Sequence, residues 1–295
     1  LEKALELEID NLDTSNAYGS GLSENRIGSF LKKFGSKKQD LFKIATKAGI
    51  TRSKDGTRYY DNSLGHLELE LDMSLKRLGL EQVDLFYVHR KDKDTEIEEV
   101  TESLAKLIKK GKIKQFGFSE IAPTSLERAS KVHPVAAVQS EYSLATRYPE
   151  LGLLQKCLSL GTTMVAFSPV GRSILTDNPH NRARAEKMPF LKNNPRFMSP
   201  NLERNVEVTK GFRLFARERG YSAASLSIAW LLSRGSHILP IPGTRSPKRL
   251  EELVQGIYLK LTEDDLREID KLLPVGWAHG DRYSTEQWVG PERYS

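Results

Sequence analysis

Asp13 and Tyr18 in LDTSNAYG, Lys47 in KIATKAG and His89 in VDLFYVHR are a carboxylate, a phenol, an ammonium and an imidazole. Each stands at or just beyond the end of a stretch that reads as a strand. A phenol, with a reference pKa near ~10, is a poor acid at neutral pH. A nearby ammonium favours the ionised form, and a carboxylate beside the ammonium keeps it charged and oriented. An imidazole can donate to a carbonyl oxygen and orient it. Together the four make a proton-delivery set suited to polarising a ketone or aldehyde. One polar strand end is more often a cap or a loop contact. Several of different chemistry, brought to one rim, are harder to explain that way.

Strands and helices in alternation must position them. Strand candidates are EIDNLDT (8–14), LFKIATK (41–47), VDLFYVH (83–89), IKQFGFS (113–119), VAAVQSEY (135–142), TMVAFSPV (163–170) and HILPIPGT (237–244). Helical spacing falls between them. Ile27, Phe30, Leu31 and Phe34 share one face, with Ser23 as expected cap and Gly35 as expected stop. Leu64, Leu67, Leu71, Leu75 and Leu78 line another before Gly79, and Val100, Leu104, Leu107 and Ile108 a third before Gly111. Alternation without a strand-only block or a linker predicts an α/β fold, a TIM (β/α)8 barrel, as a single domain over 1–295. Seven strands are visible where a barrel needs eight. The first is therefore expected upstream of, or missing from, the chain, which opens on the helix-like LEKALELE. In a parallel barrel all C-terminal strand ends share one face, so Asp13, Lys47, His89, Ser119 and Gln139 are expected to converge.

Composition sets bounds. Of 295 residues, 38% are hydrophobic and 28% charged, and the net charge is +6. Lys and Arg are interleaved with Asp and Glu, so a solvated surface explains the basic balance better than nucleic acid does, including at KKFGSKK and KLIKKGKIK. No run has the ~18 apolar residues of a membrane span. One cysteine, Cys157, fits a reducing cytoplasmic setting. The histidines lack metal-ligand spacing, so no metal is expected. The expected partner is a small carbonyl compound, met by a monomer or weak homo-oligomer.

A second site is readable near the C-terminus. No G-x-G-x-x-G is present. In IPGTRSPKRLEE, Ser246 can cap a helix, Pro247 suits its first position, and Arg245, Lys248 and Arg249 surround its N–H groups. That combination suits an anion, although a basic solvated helix start is the commoner meaning.

LDTSNAYG, KIATKAG, SLKRLGLEQVDLFYVHR, GKIKQFGFSE and FSPVGR, in this order, resemble the aldo-keto reductases, and GKIKQFGFSE, VHPVAAVQSEYSL and NNPRFMSPNLERN are most similar to their perakine reductase-like branch. The resemblance implies the barrel fold, NADP(H) as cofactor and reversible carbonyl reduction. It implies Tyr18 as general acid, Lys47 as its cationic partner, Asp13 as the partner of Lys47, and His89 as the substrate-orienting residue. It assigns the carboxamide to Ser119 and Gln139, the nicotinamide stack to Phe167, the phosphates to Ser168, Val170 and Arg172, and the adenosine 2′-phosphate end to Gly243, Thr244, Arg245, Arg249 and Glu252. Glu120 and Leu253 stand where many members have Asn.

The segment 175–203 is expected to cover cofactor or pocket, and the tail after 275 either to line the substrate mouth or to pack on the barrel. The short stretch after His89 leaves that side open to bulky carbonyls. Two other functions fit the same residues: a cofactor-binding regulatory subunit with little turnover, and an aldolase with Lys47 as Schiff-base lysine.

Overall fold

The computed structural model describes residues 1–295, which form two compact units. The first comprises Leu1–Gln139, Gly152–Met164 and Gly290–Ser295, the second Ser140–Leu151 and Val165–Val289. The chain begins α1 (Glu2–Glu6), β1 (Asn11–Asp13), α2 (Leu22–Leu31), β2 (Lys43–Ala48), β3 (Ile50–Arg52), β4 (Arg58–Tyr60) and α3 (Leu64–Leu78). It continues β5 (Val83–Val88), α4 (Ile97–Lys109), β6 (Ile113–Ser119), α5 (Pro123–Val132), β7 (Ala137–Glu141), α6 (Leu153–Leu160) and β8 (Thr163–Phe167). The remaining elements are α7 (Arg182–Glu186), α8 (Asn201–Glu218), α9 (Ala223–Ser233), β9 (Ile238–Ile241), α10 (Pro247–Tyr258) and α11 (Glu263–Leu272). No helix is long and apolar enough to cross a membrane.

The seven strands expected from the sequence form one sheet in the order β1-β2-β5-β6-β7-β8-β9. Its first strand is present as β1, which carries Asp13, and is not upstream of or missing from the chain as the sequence suggested. From β1 to β7 every pairing is parallel. The order advances without reversal, as in a barrel, whereas a doubly wound sheet reverses at a switch point. Curvature follows from one contact. Gln139 Nε2 on β7 donates to Asp13 Oδ2 on β1 at 2.8 Å, although four strand spacings in a flat sheet would span roughly 19 Å. The first unit's strands therefore curl round until their ends meet.

The helices follow their apolar stripes. Leu67, Leu71, Leu75 and Leu78 of α3 are buried, each worth about 1.5–3 kcal/mol relative to exposure. Ser63 Oγ caps the start, accepting from His66 N, and Gly79 at φ 68 ends it. α4 carries Glu98 and Glu99 in its first turn and Lys106 and Lys109 in its last, matching the helix dipole.

Two local expectations are corrected. α2 starts after Gly21 at φ 87, not at Ser23, whose hydroxyl lies inside the helix and accepts from Thr14 Oγ1 at 2.7 Å. Gly35 does not stop it either: α2 gives way after Leu31 to 3-10 turns over Lys32–Gln39. Ile27, Phe30 and Leu31 complete the buried face, and Phe34 stays 37% exposed. The antiparallel hairpin β3–β4 was not expected, since its strands have three residues each and are mostly polar or aromatic.

α2 and α3 cross where Gly28 meets the backbone of Arg77, and a Cβ at Gly28 would lie 2.1 Å from Arg77 O. Gly65, by contrast, has open space around it. Gly28→Ala should lose about 1–3 kcal/mol in urea unfolding, and Gly65→Ala should stay within about 0.5 kcal/mol of the parent.

Candidate active site

Parallel register explains how the site assembles. Asp13 pairs with Ala45, and Lys47 is the next residue on the same face of β2. The ammonium of Lys47, with no solvent exposure, pairs with Asp13 Oδ1 and donates to Thr14 O at 2.7 Å. Lys47 stands opposite Tyr87, which stands opposite Gly117. A Cβ at Gly117 would come within 2.7 Å of the Tyr87 ring, so this glycine makes room for it. Lys47 Nζ is 5.8 Å from the Tyr87 ring centroid and 5.0 Å from that of Tyr18.

Tyr18 reaches the ammonium because the loop after β1 is pinned. Thr14 N donates to Ala45 O at 2.9 Å and Asn16 N to Lys47 O at 3.2 Å. Asn16 Nδ2 donates to Glu70 Oε2 at 2.7 Å. Tyr18 N donates to Ser15 O at 3.1 Å, and Gly19, Ser20 and Gly21 then turn the chain with positive φ. Tyr18 is 42% exposed, and its ring meets the His89 ring edge-on, with centroids 5.9 Å apart. All four expected catalytic residues thus stand together.

Charge is sorted among them. Burial alone would lower the pKa of Lys47, but Asp13 and then Tyr18 outweigh it, and the value is raised above 10.5. Its charged form therefore contributes stability at every pH below 10.5, lost only as pH climbs through the raised value. His89 is held well below its usual 6.5 by burial first, then by Arg90, Lys47 and Arg58, so it is neutral at neutral pH. Burial and then Asp13 push the Tyr87 phenol well above its usual value against a smaller effect of Gln139, and it stays protonated.

Ser15 and Arg90 escaped the sequence reading. Ser15 Oγ lies 3.1 Å from His89 Nδ1 and accepts from Ala17 N at 3.1 Å. Buried Arg90 donates through Nη1 to His89 O at 2.6 Å and to Ser119 Oγ at 2.9 Å. Position two after Asp13 and position one after His89 were the available signals. Ser119 and Gln139, expected to hold a carboxamide, are joined to this network, Ser119 through Arg90 and Gln139 through Asp13. Glu120 follows with φ 60, and its carbonyl accepts from Glu292 N at 2.8 Å, so the end of the tail packs beside β6.

The remaining expected cofactor residues lie in the second unit. After Phe167, the loop carries Ser168, Arg172 and Ser173 with positive φ, which costs about 1–3 kcal/mol at each. Val170 packs against Ala224, Ile228 and Leu253, so Leu253 serves a core in place of the polar contact Asn would make. Arg172 is engaged elsewhere: it pairs with buried Glu141, donates to Arg282 O at 3.0 Å, and lies 4.8 Å from the Phe190 ring centroid. Glu141 also faces Arg196 at 3.7 Å and Arg282 at 3.9 Å. At α10, Ser246 Oγ accepts from Arg249 N at 3.4 Å and Pro247 takes the first helical position. Gly243, Arg245, Lys248 and Arg249 are exposed there, with Thr244 and Glu252 half-buried. A capped helix start ringed by three exposed cations is chemically suited to a phosphate monoester.

The sequence profile of the Aldo/keto reductase family matches residues 1–274. An NADP(+) aldo-keto reductase of Schizosaccharomyces pombe, Yakc, is 36% identical over 287 residues, covering 96% of this chain and 84% of that protein. A probable aldo-keto reductase of Glycine max is 36% identical, covering 93% of this chain and 78% of its own. The structure is similar to the glycerol dehydrogenase AKR11B4 of Gluconobacter oxydans, with a TM-score of 0.81 and 27% identity over 92% of this chain and 83% of that one. The chain belongs to the aldo/keto reductase family.

Three variants test the electrostatics. Asp13→Asn leaves a buried ammonium without its counter-charge and should lose about 3–5 kcal/mol in chemical denaturation, with Lys47→Met in the same background recovering part of it. His89 has a depressed folded pKa, so its neutral form contributes stability above pH 6.5 that is lost as pH falls. Stability of the parent should therefore drop below pH 6.5 by up to about 1.4 kcal/mol per unit more steeply than that of His89→Gln.

Proposed function

We propose that the chain is an NADPH-dependent reductase of aldehydes and ketones, with Tyr18 as proton donor. The observation that carries this reading is the fully buried, charged Lys47, held by Asp13 and set 5.0 Å from the ring of an exposed tyrosine.

A carbonyl oxygen placed between Tyr18 and His89 receives the Tyr18 proton. We take the Ser15 hydroxyl, 3.1 Å from His89 Nδ1, as the donor to that nitrogen. The imidazole proton then sits on Nε2, aimed at the substrate oxygen. Lys47 stands where negative charge develops on the phenol oxygen, and Asp13 keeps it there. When bound, NADPH supplies the hydride. Arg245, Arg249, Gly243, Thr244 and Glu252 would hold its adenosine 2′-phosphate end, Ser168 and Val170 would lie near its phosphates, Phe167 would stack on the nicotinamide ring, and Ser119 and Gln139 would take the carboxamide. For Arg172 we infer a support role through Glu141 as well as nearness to phosphate.

The competing functions are weaker. A Schiff-base lysine must shed its proton to attack, whereas Asp13 holds Lys47 charged. A purely regulatory subunit has no use for a tyrosine exposed beside a buried ammonium. The same reading makes this one domain of a cytoplasmic protein, a monomer or weak homo-oligomer acting on small carbonyls without nucleic-acid or membrane partners. In support, basic groups such as Lys110, Lys112 and Arg128 are tied to Glu68, Asp72, Glu96 and Glu98 on the surface. The one cysteine, Cys157, is buried with its thiol pushed up to about 12.

Tyr18→Phe should lower kcat for NADPH-dependent reduction of an aromatic aldehyde by about 10²–10⁴-fold, with NADPH affinity, read by its fluorescence, unchanged. Full turnover in that variant would remove Tyr18 from the mechanism.

A further inference from the structure

Tyr18 is placed from two sides. After it, Gly19, Ser20 and Gly21 turn the chain at φ 62, 52 and 87, and Ser23 N donates back to Tyr18 O at 3.2 Å. Two glycines in three residues leave that turn tolerant of several conformations. Before it, Ala17 bonds only within the loop, donating its N–H to Ser15 Oγ and accepting from Ser20 N. Asn16 is therefore the last residue ahead of Tyr18 that is tied to the rest of the fold. Its backbone N–H reaches Lys47 O, and its side chain reaches Glu70 on α3.

The Glu70 contact has a fixed polarity. Glu70 Oε2 accepts, so Asn16 turns Nδ2 toward it, at 2.7 Å, and Oδ1 back toward Ser15 Oγ, at 3.3 Å. Ser15 in turn stands 3.1 Å from His89 Nδ1. One amide thus faces α3 on one side and the serine that meets His89 on the other. Glu70 is not engaged on the surface as its neighbours are. Glu68 pairs with Lys110 and Lys112, and Asp72 with Lys112, whereas Glu70 has no cation and turns to the loop. Its own position is firm, because Leu67 and Leu71 beside it on α3 are fully buried and Ser63 caps the helix.

We propose that Glu70 is a positioning residue for the reaction: through Asn16 it holds the loop so that the Tyr18 ring stays beside the Lys47 ammonium and against the His89 ring. It touches none of the reacting groups itself. The inference rests on the reductase reading and adds to it a residue of α3. The leverage is large, because misplacing a reacting group by about 1 Å can cost about 10²-fold in rate.

The test follows hydrogen-bond polarity. Glu70→Ala should lower kcat for NADPH-dependent reduction of benzaldehyde roughly tenfold, the size of one charge-assisted hydrogen bond, with KM for benzaldehyde within about twofold. Glu70→Gln, whose amide oxygen still accepts from Asn16, should restore kcat to within about twofold of the parent. Asn16→Asp sets two carboxylates against each other and should lose at least as much as Glu70→Ala. Adding Glu70→Gln to Asn16→Asp rebuilds a donor–acceptor pair in the opposite sense and should recover most of that loss, which general destabilisation would not do. Equal losses in Glu70→Ala and Glu70→Gln would overturn the proposal. A second readout does not depend on turnover: the nuclear Overhauser contact between the Tyr18 and His89 ring protons. It should be strong in the parent and Glu70→Gln and weak in Glu70→Ala and Asn16→Asp. If the ring contact follows the variants in this way while the parent reduces no aldehyde, the placement of Tyr18 by Glu70 stands and the reductase reading falls. If the parent reduces aldehydes while Glu70→Ala keeps both its kcat and its ring contact, the positioning role alone falls.

Discussion

The candidate site of the first unit is organised around one fully buried ammonium, that of Lys47. An ammonium taken wholly out of water costs several kcal/mol unless its partners replace the lost hydration. Lys47 meets that demand with Asp13, the carbonyl of Thr14 and the neighbouring Tyr18. Asp13 is itself steadied by Gln139, and that bond requires β7 to come round to β1. The curl of the sheet, the space left at Gly117 for Tyr87, and the pinned loop from Thr14 to Tyr18 are all conditions for keeping one lysine charged beside one phenol.

That arrangement separates three neighbouring titratable groups into distinct roles. Lys47 is fixed as a cation and His89 as a neutral imidazole, while the deeper phenol of Tyr87 is kept protonated by burial. Only Tyr18 combines contact with the ammonium and access to solvent. The second unit uses the same principle for structure: Glu141 gathers Arg172, Arg196 and Arg282 around one buried carboxylate and so fastens distant segments together.

Much of this was legible in the sequence. The apolar strands and the leucine stripe of α3 announced themselves by period, and a parallel order of strands was enough to bring Asp13, Tyr18, Lys47 and His89 together. Ser246 and Pro247 marked the start of α10 because caps act locally. What was not legible depended on distance or on weak local signals. The tie between Arg172 and Glu141 joins residues from different strand ends, and no spacing rule connects them. Ser15 is an ordinary loop serine until the fold sets it against His89. The hairpin β3–β4 is too short and too polar to show a strand period, and α2 ends where burial ends, with no stop residue to mark it.

The central claim is that Lys47 remains an ammonium although its side chain has no exposed surface, and direct observation of its Nζ by ¹⁵N-detected NMR during a pH titration tests it. The account predicts that Lys47 stays protonated beyond pH 10.5. Deprotonation of Lys47 below pH 10.5 would contradict it.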